Sequence, residues 1–168
     1  MLGAVRQGIT GGMRFVSHME TALAEARAAG LRGEVPVGAV VVDAGGRVVA
    51  AAGNRTRELS DPTAHAEVLA LRAACAAAGS ERLPGHDLYV TLEPCPMCAG
   101  AIILARIPEV YYGAPDPKAG CCGTLMDLLN DSRFNHNPTV QYGLLASECG
   151  GLLTSFFRAL RNKGSSPE

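Results

Sequence analysis

The chain has 168 residues, a net charge of −1 at pH 7, 48% hydrophobic residues and 18% charged ones. That length supports one domain with a real core, and the composition excludes a disordered or low-complexity protein. No apolar run approaches the ~20 residues a bilayer-spanning helix needs, so no membrane association is expected. The near-neutral total excludes nucleic-acid binding through bulk charge, so any RNA site has to be a local basic surface.

In chain order, residues 1–12 hold a single Arg and repeated Gly without a compact apolar stretch and cleavage site. They read as a loose tail rather than a signal peptide, with Met13 as an alternative start, and a cytoplasmic protein is expected. The spacing of Met19, Leu23 and Ala26 predicts a helix over 15–29 stopped by Gly30. Apolar runs over 37–42 and 47–52, joined by Asp43-Ala44-Gly45-Gly46, predict a hairpin. A polar loop over 54–63 leads to an Ala- and Leu-rich helix over 64–78, stopped by Gly79. There follow a strand over 87–92, a helix over 97–105 preceded by Pro94 and Pro96, and a strand over 109–112. A Gly/Pro loop reaches Gly123, then come a helical turn over 125–129, a strand over 140–144, a closing helix over 147–161 and a frayed tail over 164–168. Strands alternating with helices predict a three-layer α/β/α sandwich, and the opening hairpin makes its central sheet mixed. One domain over 13–163 is expected.

The chemistry lies in His65-Ala66-Glu67 and Pro94-Cys95-Pro96-Met97-Cys98. Both stretches fall where a loop becomes a helix, and the unpaired N–H groups and partial positive charge there favour thiolates. Cys95 and Cys98, three apart, can face one ion, and His65 completes the set if the two helices lie side by side. Structural zinc usually takes four protein ligands, while catalytic zinc keeps a position for water. Two thiolates and a neutral imidazole neutralise Zn²⁺, and its water then ionises near neutral pH. Glu67, two residues past His65, would point elsewhere in a regular helix; it is an awkward fourth ligand but is suited to general acid–base work on that water. His-x-Glu followed by Pro-Cys-x-x-Cys is the general signature of zinc nucleobase deaminases. A lone His-x-Glu means little, and a lone Cys-x-x-Cys is moderately suggestive; together and in this order they point to catalytic zinc. A structural site would need a fourth ligand, for which Cys75 or the Cys121–Cys122 pair are candidates, though buried small hydrophobes are the plainer role for Cys75, Cys121, Cys122 and Cys149. A redox Cys-x-x-Cys leaves the His-x-Glu unexplained.

The match extends beyond the metal motif. Glu34-Val35-Pro36-Val37-Gly38-Ala39-Val40, Asp61-Pro62-Thr63-Ala64-His65-Ala66-Glu67 and 88–101 resemble bacterial tRNA-specific adenosine deaminases of the cytidine deaminase superfamily. The zinc motifs mark the superfamily. Tyr112-Gly113-Ala114, Lys118-Ala119-Gly120, Leu125-Met126-Asp127, Asn135-His136 and Phe156-Phe157-Arg158 mark the tRNA-acting branch.

The resemblance implies a cytidine-deaminase-like fold with one Zn²⁺ per subunit on His65, Cys95 and Cys98, and Glu67 as proton shuttle. The implied reaction is hydrolysis of adenosine to inosine at the wobble position of a tRNA anticodon stem-loop, whose unpaired base costs little to extrude. Asn54 is implied to bind base or ribose, although Gly53-Asn54 also reads as a turn. Val37, Pro94 and the Ala66 N–H are implied around the base; by pattern alone Val37 is simply a strand valine. Asp116, Lys118, Asn135, His136, Phe156 and Arg158 are implied RNA contacts, against solvated loops and ordinary helix packing as the plain readings. Asn137-Pro138, where a basic residue is expected, and Pro115, where a polar one is, depart from the pattern. The resemblance also implies a homodimer, for which the apolar run 99–105 is a candidate face. Rival readings are a free-nucleobase or nucleoside deaminase (guanine or cytosine) sharing every zinc residue, an inactive RNA-binding subunit, which would have no need of Glu67, and a structural zinc module.

Overall fold

Branched and small apolar residues place a six-stranded sheet at the centre of the molecule. The computed structural model describes residues 7–8 and 17–164. The elements are β1 (Gln7–Gly8), α1 (Met19–Leu31), β2 (Gly38–Val42), β3 (Val48–Gly53), α2 (Ala66–Ala78), β4 (Asp87–Leu92), α3 (Pro96–Leu104), β5 (Glu109–Ala114), a 3-10 turn (Leu128–Asn130), β6 (Thr139–Tyr142) and α4 (Ala146–Gly164). The sheet order is β1-β6-β5-β4-β2-β3. β2 runs antiparallel to both β3 and β4, whereas the β4–β5, β5–β6 and β1–β6 pairs are parallel. The sheet is therefore mixed, as the hairpin requires.

Side chains alternate across it, as extended backbone demands. Ala39, Val41, Leu88, Val90 and Val110 pack with Ala66, Ala70 and Leu71 of α2 and Ala99, Ile102 and Ile103 of α3. Val40, Val42, Tyr89 and Tyr111 pack with Met19, Ala22 and Leu23 of α1 and Cys149 of α4. This is the three-layer sandwich, with α2 and α3 on one face and α1 and α4 on the other.

α1 lies unusually close to the sheet. Gly38 and Gly53 are register partners. A Cβ on Gly38 would stand 1.9 Å from the Ala22 carbonyl oxygen, and one on Gly53 would stand 2.8 Å from that of Glu25. Only hydrogen at both positions lets the helix backbone settle onto β2 and β3. The Gly38 N–H also donates to Thr91 Oγ1 at 3.1 Å, tying the start of β2 to the end of β4.

The differences from expectation are local. α1 runs through Gly30 to Leu31, because the chain turns at Gly33, whose φ of +82° suits glycine. β5 continues to Ala114, because Leu92 of β4 offers it a partner there. β6 stops at Tyr142, where Gly143 adopts φ +91°. The helical turn expected over 125–129 is displaced to Leu128–Asn130, since 122–127 closes on itself through a Cys122–Asp127 bridge. Gly79 ends α2 in the left-handed conformation, as expected. The expected loose tail over 1–12 lies outside the described residues apart from β1, as does the frayed end apart from Gly164. No described helix is long and apolar enough to cross a membrane.

The topology fixes where a site can form. β2 is antiparallel to both neighbours, so β3 and β4 run in the same direction. Each leads into a helix on the same face. The N-termini of α2 and α3 therefore lie at one end of the sheet, at the carboxyl ends of their strands, where α/β folds bind ligands. Gly38→Ala is expected to cost about 1–3 kcal/mol or more in urea unfolding, through overpacking against α1. Gly151→Ala on α4, where an added Cβ meets nothing within 4 Å, should instead stabilise by roughly 0.5–1 kcal/mol.

Candidate active site

His65 and Cys95 are each the last extended residue before a helix. His65, at φ −72° and ψ 150°, is the N-cap of α2, and Cys95, at φ −76° and ψ 175°, is the N-cap of α3. Pro96 takes the first helical position, where its missing N–H costs nothing. Cys98 follows within the first turn, buried at 0% exposure. His65 Nδ1 lies 3.6 Å from Cys95 Sγ and 3.5 Å from Cys98 Sγ. Tetrahedral zinc with Zn–S near 2.3 Å and Zn–N near 2.1 Å places N and S about 3.6 Å apart. The donor set therefore fits zinc in type and spacing. No fourth His, Cys, Asp or Glu joins this group among the described residues, so neither Cys75 nor the Cys121–Cys122 pair closes the site.

Because His65 is extended rather than helical, the rule that side chains two apart diverge does not hold for His65 and Glu67. Both line the same cavity, about 240 Å³ in volume, with Cys95, Val37, Asn54 and Thr56. Glu67 is 4% exposed. Burial raises its carboxyl from the ordinary 4.5 to about 7, against the lowering effects of its own backbone N–H, His65 and Cys98. The sulfur pair divides its protons unequally. A hydrogen bond from the Cys98 thiol, reinforced by the His65 ring, holds Cys95 down at about 4. Cys98, the donor in that bond and itself buried, is pushed up. His65 is raised by its hydrogen bond to Cys95. A dication bound here would displace the protons that His65 and Cys98 hold.

Asn54 forms one wall. Its Oδ1 accepts the Ala66 N–H at 2.8 Å, while its Nδ2 has no protein acceptor among the described residues. The Ala66 N–H, expected beside the base, here orients Asn54. Its backbone is held as well, the N–H donating to Val37 O at 3.1 Å and the carbonyl accepting from Arg32 at 3.2 Å.

Two buried glutamates that the sequence reading did not single out shape the loops. Glu34, 1% exposed, accepts hydrogen bonds from the Thr56 hydroxyl and from the Arg57 and Glu58 N–H groups, fixing the loop after β3. Glu93 does the same for the loop after β5 through Asp116, Cys122 and Thr124. The signal was present: a carboxylate inside an otherwise apolar strand end must find donors.

The remaining candidates separate. Asp116 lines the cavity, and its Oδ1 accepts the Lys118 and Ala119 N–H groups of its own turn. Lys118 is exposed beside it. Pro94 does not line the cavity; its carbonyl accepts the Cys121 N–H at 2.9 Å. Asn135 and His136 precede Thr139, which pairs with Glu109 at the far end of the sheet from the N-termini of α2 and α3. There Asn135 accepts from Arg106 at 2.9 Å, and His136 Nε2 donates to Ile107 O at 2.7 Å. They support the α3–β5 turn, and the fold does not bring them to the zinc ligands of the same chain. On α4, Phe157 and Arg161 line a groove of about 570 Å³ with Lys118 and Asp116, whereas Phe156 and Arg158 do not. The 3.6-residue period that carries Leu153 and Thr154 into the groove brings Phe157 and Arg161 next.

Residues 15–114 match the family described as the cytidine and deoxycytidylate deaminase zinc-binding region. The chain belongs to this family. Its relatives include the tRNA-specific adenosine deaminase of Bacillus subtilis, 53% identical over 87% of this chain and 90% of that protein. A solved structure from a study of A-to-I editing by tRNA:A34 deaminases at the wobble position is 57% identical, with a TM-score of 0.78 over 80% of this chain and 97% of that one. A guanine deaminase from Nitrosomonas europaea is similar at a lower level, 27% identical with a TM-score of 0.69 over 82% of this chain and 81% of that one. Family membership agrees with the zinc-compatible set His65, Cys95 and Cys98.

Zinc affinity should fall as pH is lowered, by roughly tenfold per pH unit for each proton the metal displaces. The sign follows from His65 and Cys98, both of which hold their protons more tightly here than ordinary groups do. Competition against a chromophoric chelator across pH measures it.

Proposed function

We propose that the chain hydrolyses adenosine to inosine at the wobble position of a tRNA anticodon stem-loop. One observation carries the chemistry: the buried carboxyl of Glu67 shares a small cavity with two members of a three-ligand metal set that no fourth residue closes among the described residues. Zinc on His65, Cys95 and Cys98 supplies the Lewis acidity that makes a water nucleophilic near neutral pH. Glu67 moves the protons. It accepts one from the attacking water, delivers it to N1 of the adenine ring, and serves again at the departing amine on C6. Desolvation raises the Glu67 carboxyl, which suits it to hold a proton between the two transfers.

Adenosine within tRNA is favoured over guanine by the family relatives and by the shape of the surroundings. The cavity, at about 240 Å³, is below the ~300–1,000 Å³ range of drug-sized pockets, which suits one extruded base with its sugar and phosphates outside. Asn54 Nδ2, with its Oδ1 already tied, is placed to donate to base or ribose. The groove carrying Lys118, Phe157 and Arg161 shares Val35, Leu92 and Asp116 with the cavity, and so continues it toward a neighbouring nucleotide. Aromatic and cationic side chains together suit a single-stranded RNA loop. A tRNA substrate places the protein in the cytoplasm.

The chain also forms a homodimer in this reading. An apolar groove of about 360 Å³ between α2 and α3 includes Val68, Leu71, Ala101 and Leu104, and Leu104 is 75% exposed. A second copy covering this face supports the apolar run after Cys98. Leu104→Arg should convert dimer to monomer in light scattering coupled to size exclusion; an unchanged mass would remove α3 from the interface.

Inosine should form at the wobble adenosine when zinc-loaded protein meets an anticodon stem-loop, and chelation should abolish it. Glu67→Ala should retain zinc and lose roughly 10²–10⁴-fold in kcat. Turnover of free guanine or cytidine, with none on several stem-loops, would replace this reading with that of a small-molecule deaminase.

A further inference from the structure

Glu93 is a carboxylate beside the candidate zinc ligands that the chemistry above does not use. It is 2% exposed and lines the cavity, yet among the described residues it has no Lys, Arg or His partner. Burying a charge without a cation is expensive unless hydrogen bonds replace its water. Here all of them come from one loop. Oε2 accepts the Asp116 N–H at 2.9 Å and the Thr124 hydroxyl, and Oε1 accepts the Cys122 and Thr124 N–H groups, each at 3.0 Å. The loop is wrapped so tightly that Gly120 has no room for a side chain. A Cβ there would lie 2.3 Å from Glu93 Oε2 and 2.5 Å from the Asp116 carbonyl oxygen. The backbone adds two clips, Glu93 N–H to Ala114 O and Cys121 N–H to Pro94 O, both at 2.9 Å.

We propose that Glu93 is a positioning residue that holds the 115–124 loop as one wall of the cavity and couples that wall to the zinc ligand Cys95, two residues on. The loop has no regular secondary structure at 115–120 to support it. It carries Asp116 and Ala119 at the cavity and Lys118 at the adjoining groove. The Glu93 carboxylate is the centre on which its N–H groups converge, so one side chain, with the two backbone clips, sets the distance between the RNA-facing side chains and the metal set. Glu93→Gln keeps the size but turns one oxygen into a donor facing N–H donors, which releases the loop without emptying the space.

Because this rests on the proposed RNA substrate, the test has a part that does not. Zinc content and hydrogen exchange are measured first on Glu93→Gln beside the unaltered protein. Zinc stoichiometry should be unchanged, and the Asp116, Cys122 and Thr124 amides should exchange roughly tenfold faster or more. Unchanged exchange at these amides overturns the proposal whatever the substrate. With the anticodon stem-loop, KM should rise roughly tenfold or more while kcat stays within about threefold. Gly120→Ala, which forces the loop off an intact Glu93, should raise KM in the same way. A Glu93→Gln protein that is less stable but has unaltered KM would make Glu93 a stability residue only and overturn the proposal. Should Glu93→Gln fail to fold, Thr124→Val removes a single hydroxyl donor and is read by the same amides and the same KM. Absence of inosine with the unaltered protein counts against the substrate assignment, while the amide measurements still decide Glu93.

Discussion

The site depends on one geometric constraint: two helices must begin at the same end of the sheet with a metal ligand as the residue just before each. β2 imposes it. By running antiparallel to both β3 and β4, it makes those two strands point the same way, and each delivers its chain to a helix on the same face. His65 and Cys95 then sit side by side as N-caps although thirty residues separate them. An N-cap has extended backbone, so its side chain need not follow the helical stripe. This lets His65 and Glu67 line one cavity and lets Cys95 and Cys98 approach the same imidazole nitrogen. The close seat of α1 on Gly38 and Gly53 serves the same end, because it packs the opposite face of the very strands, β2 and β3, whose directions matter.

Three buried glutamates show how surroundings divide one chemistry into two roles. Glu34 and Glu93 are met by loop N–H and hydroxyl groups, which make them fixed acceptors and the loops fixed walls. Glu67 lies just as deep but receives less, chiefly its own backbone N–H. Its desolvation is left largely uncompensated, and the carboxyl rises to about 7. The group that can exchange a proton near neutral pH is thus the one the fold leaves under-bonded.

Much of this was legible in the sequence where the physics is local. Helix starts, the Gly79 stop, the hairpin and the metal triad follow from spacing, capping and ligand chemistry confined to a few residues. What was not legible depended on distant partners. Gly30 is a weak stop because the residues after it, not Gly30 itself, decide where the chain turns. The extra residues of β5 exist because β4 is long enough to pair with them. The Ala66 N–H looks free in any helix start until Asn54 folds back onto it. That Asn135-His136 would lie at the opposite end of the sheet from the zinc ligands of its own chain depends on strand register, which no local pattern shows.

The same register separates the two kinds of basic residue in the chain. Arg106 is tied to the turn beyond α3 at the far end, and Arg133 to Asp131, so neither adds to the charge beside the cavity. Lys118 and Arg161 lie on the groove that adjoins it, from a loop and a helix that meet only in the folded chain. Their floor is apolar: Val35, Leu92, Leu153 and Phe157. A net charge of −1 is therefore compatible with an RNA partner, because what steers a phosphate is the potential at the groove, screened over about 10 Å, and not the sum over the molecule. In the proposed complex, the cations of that surface would set the path of the backbone, while the apolar floor would take the bases. The cavity behind it, at about 240 Å³, has room for a single base in that reading.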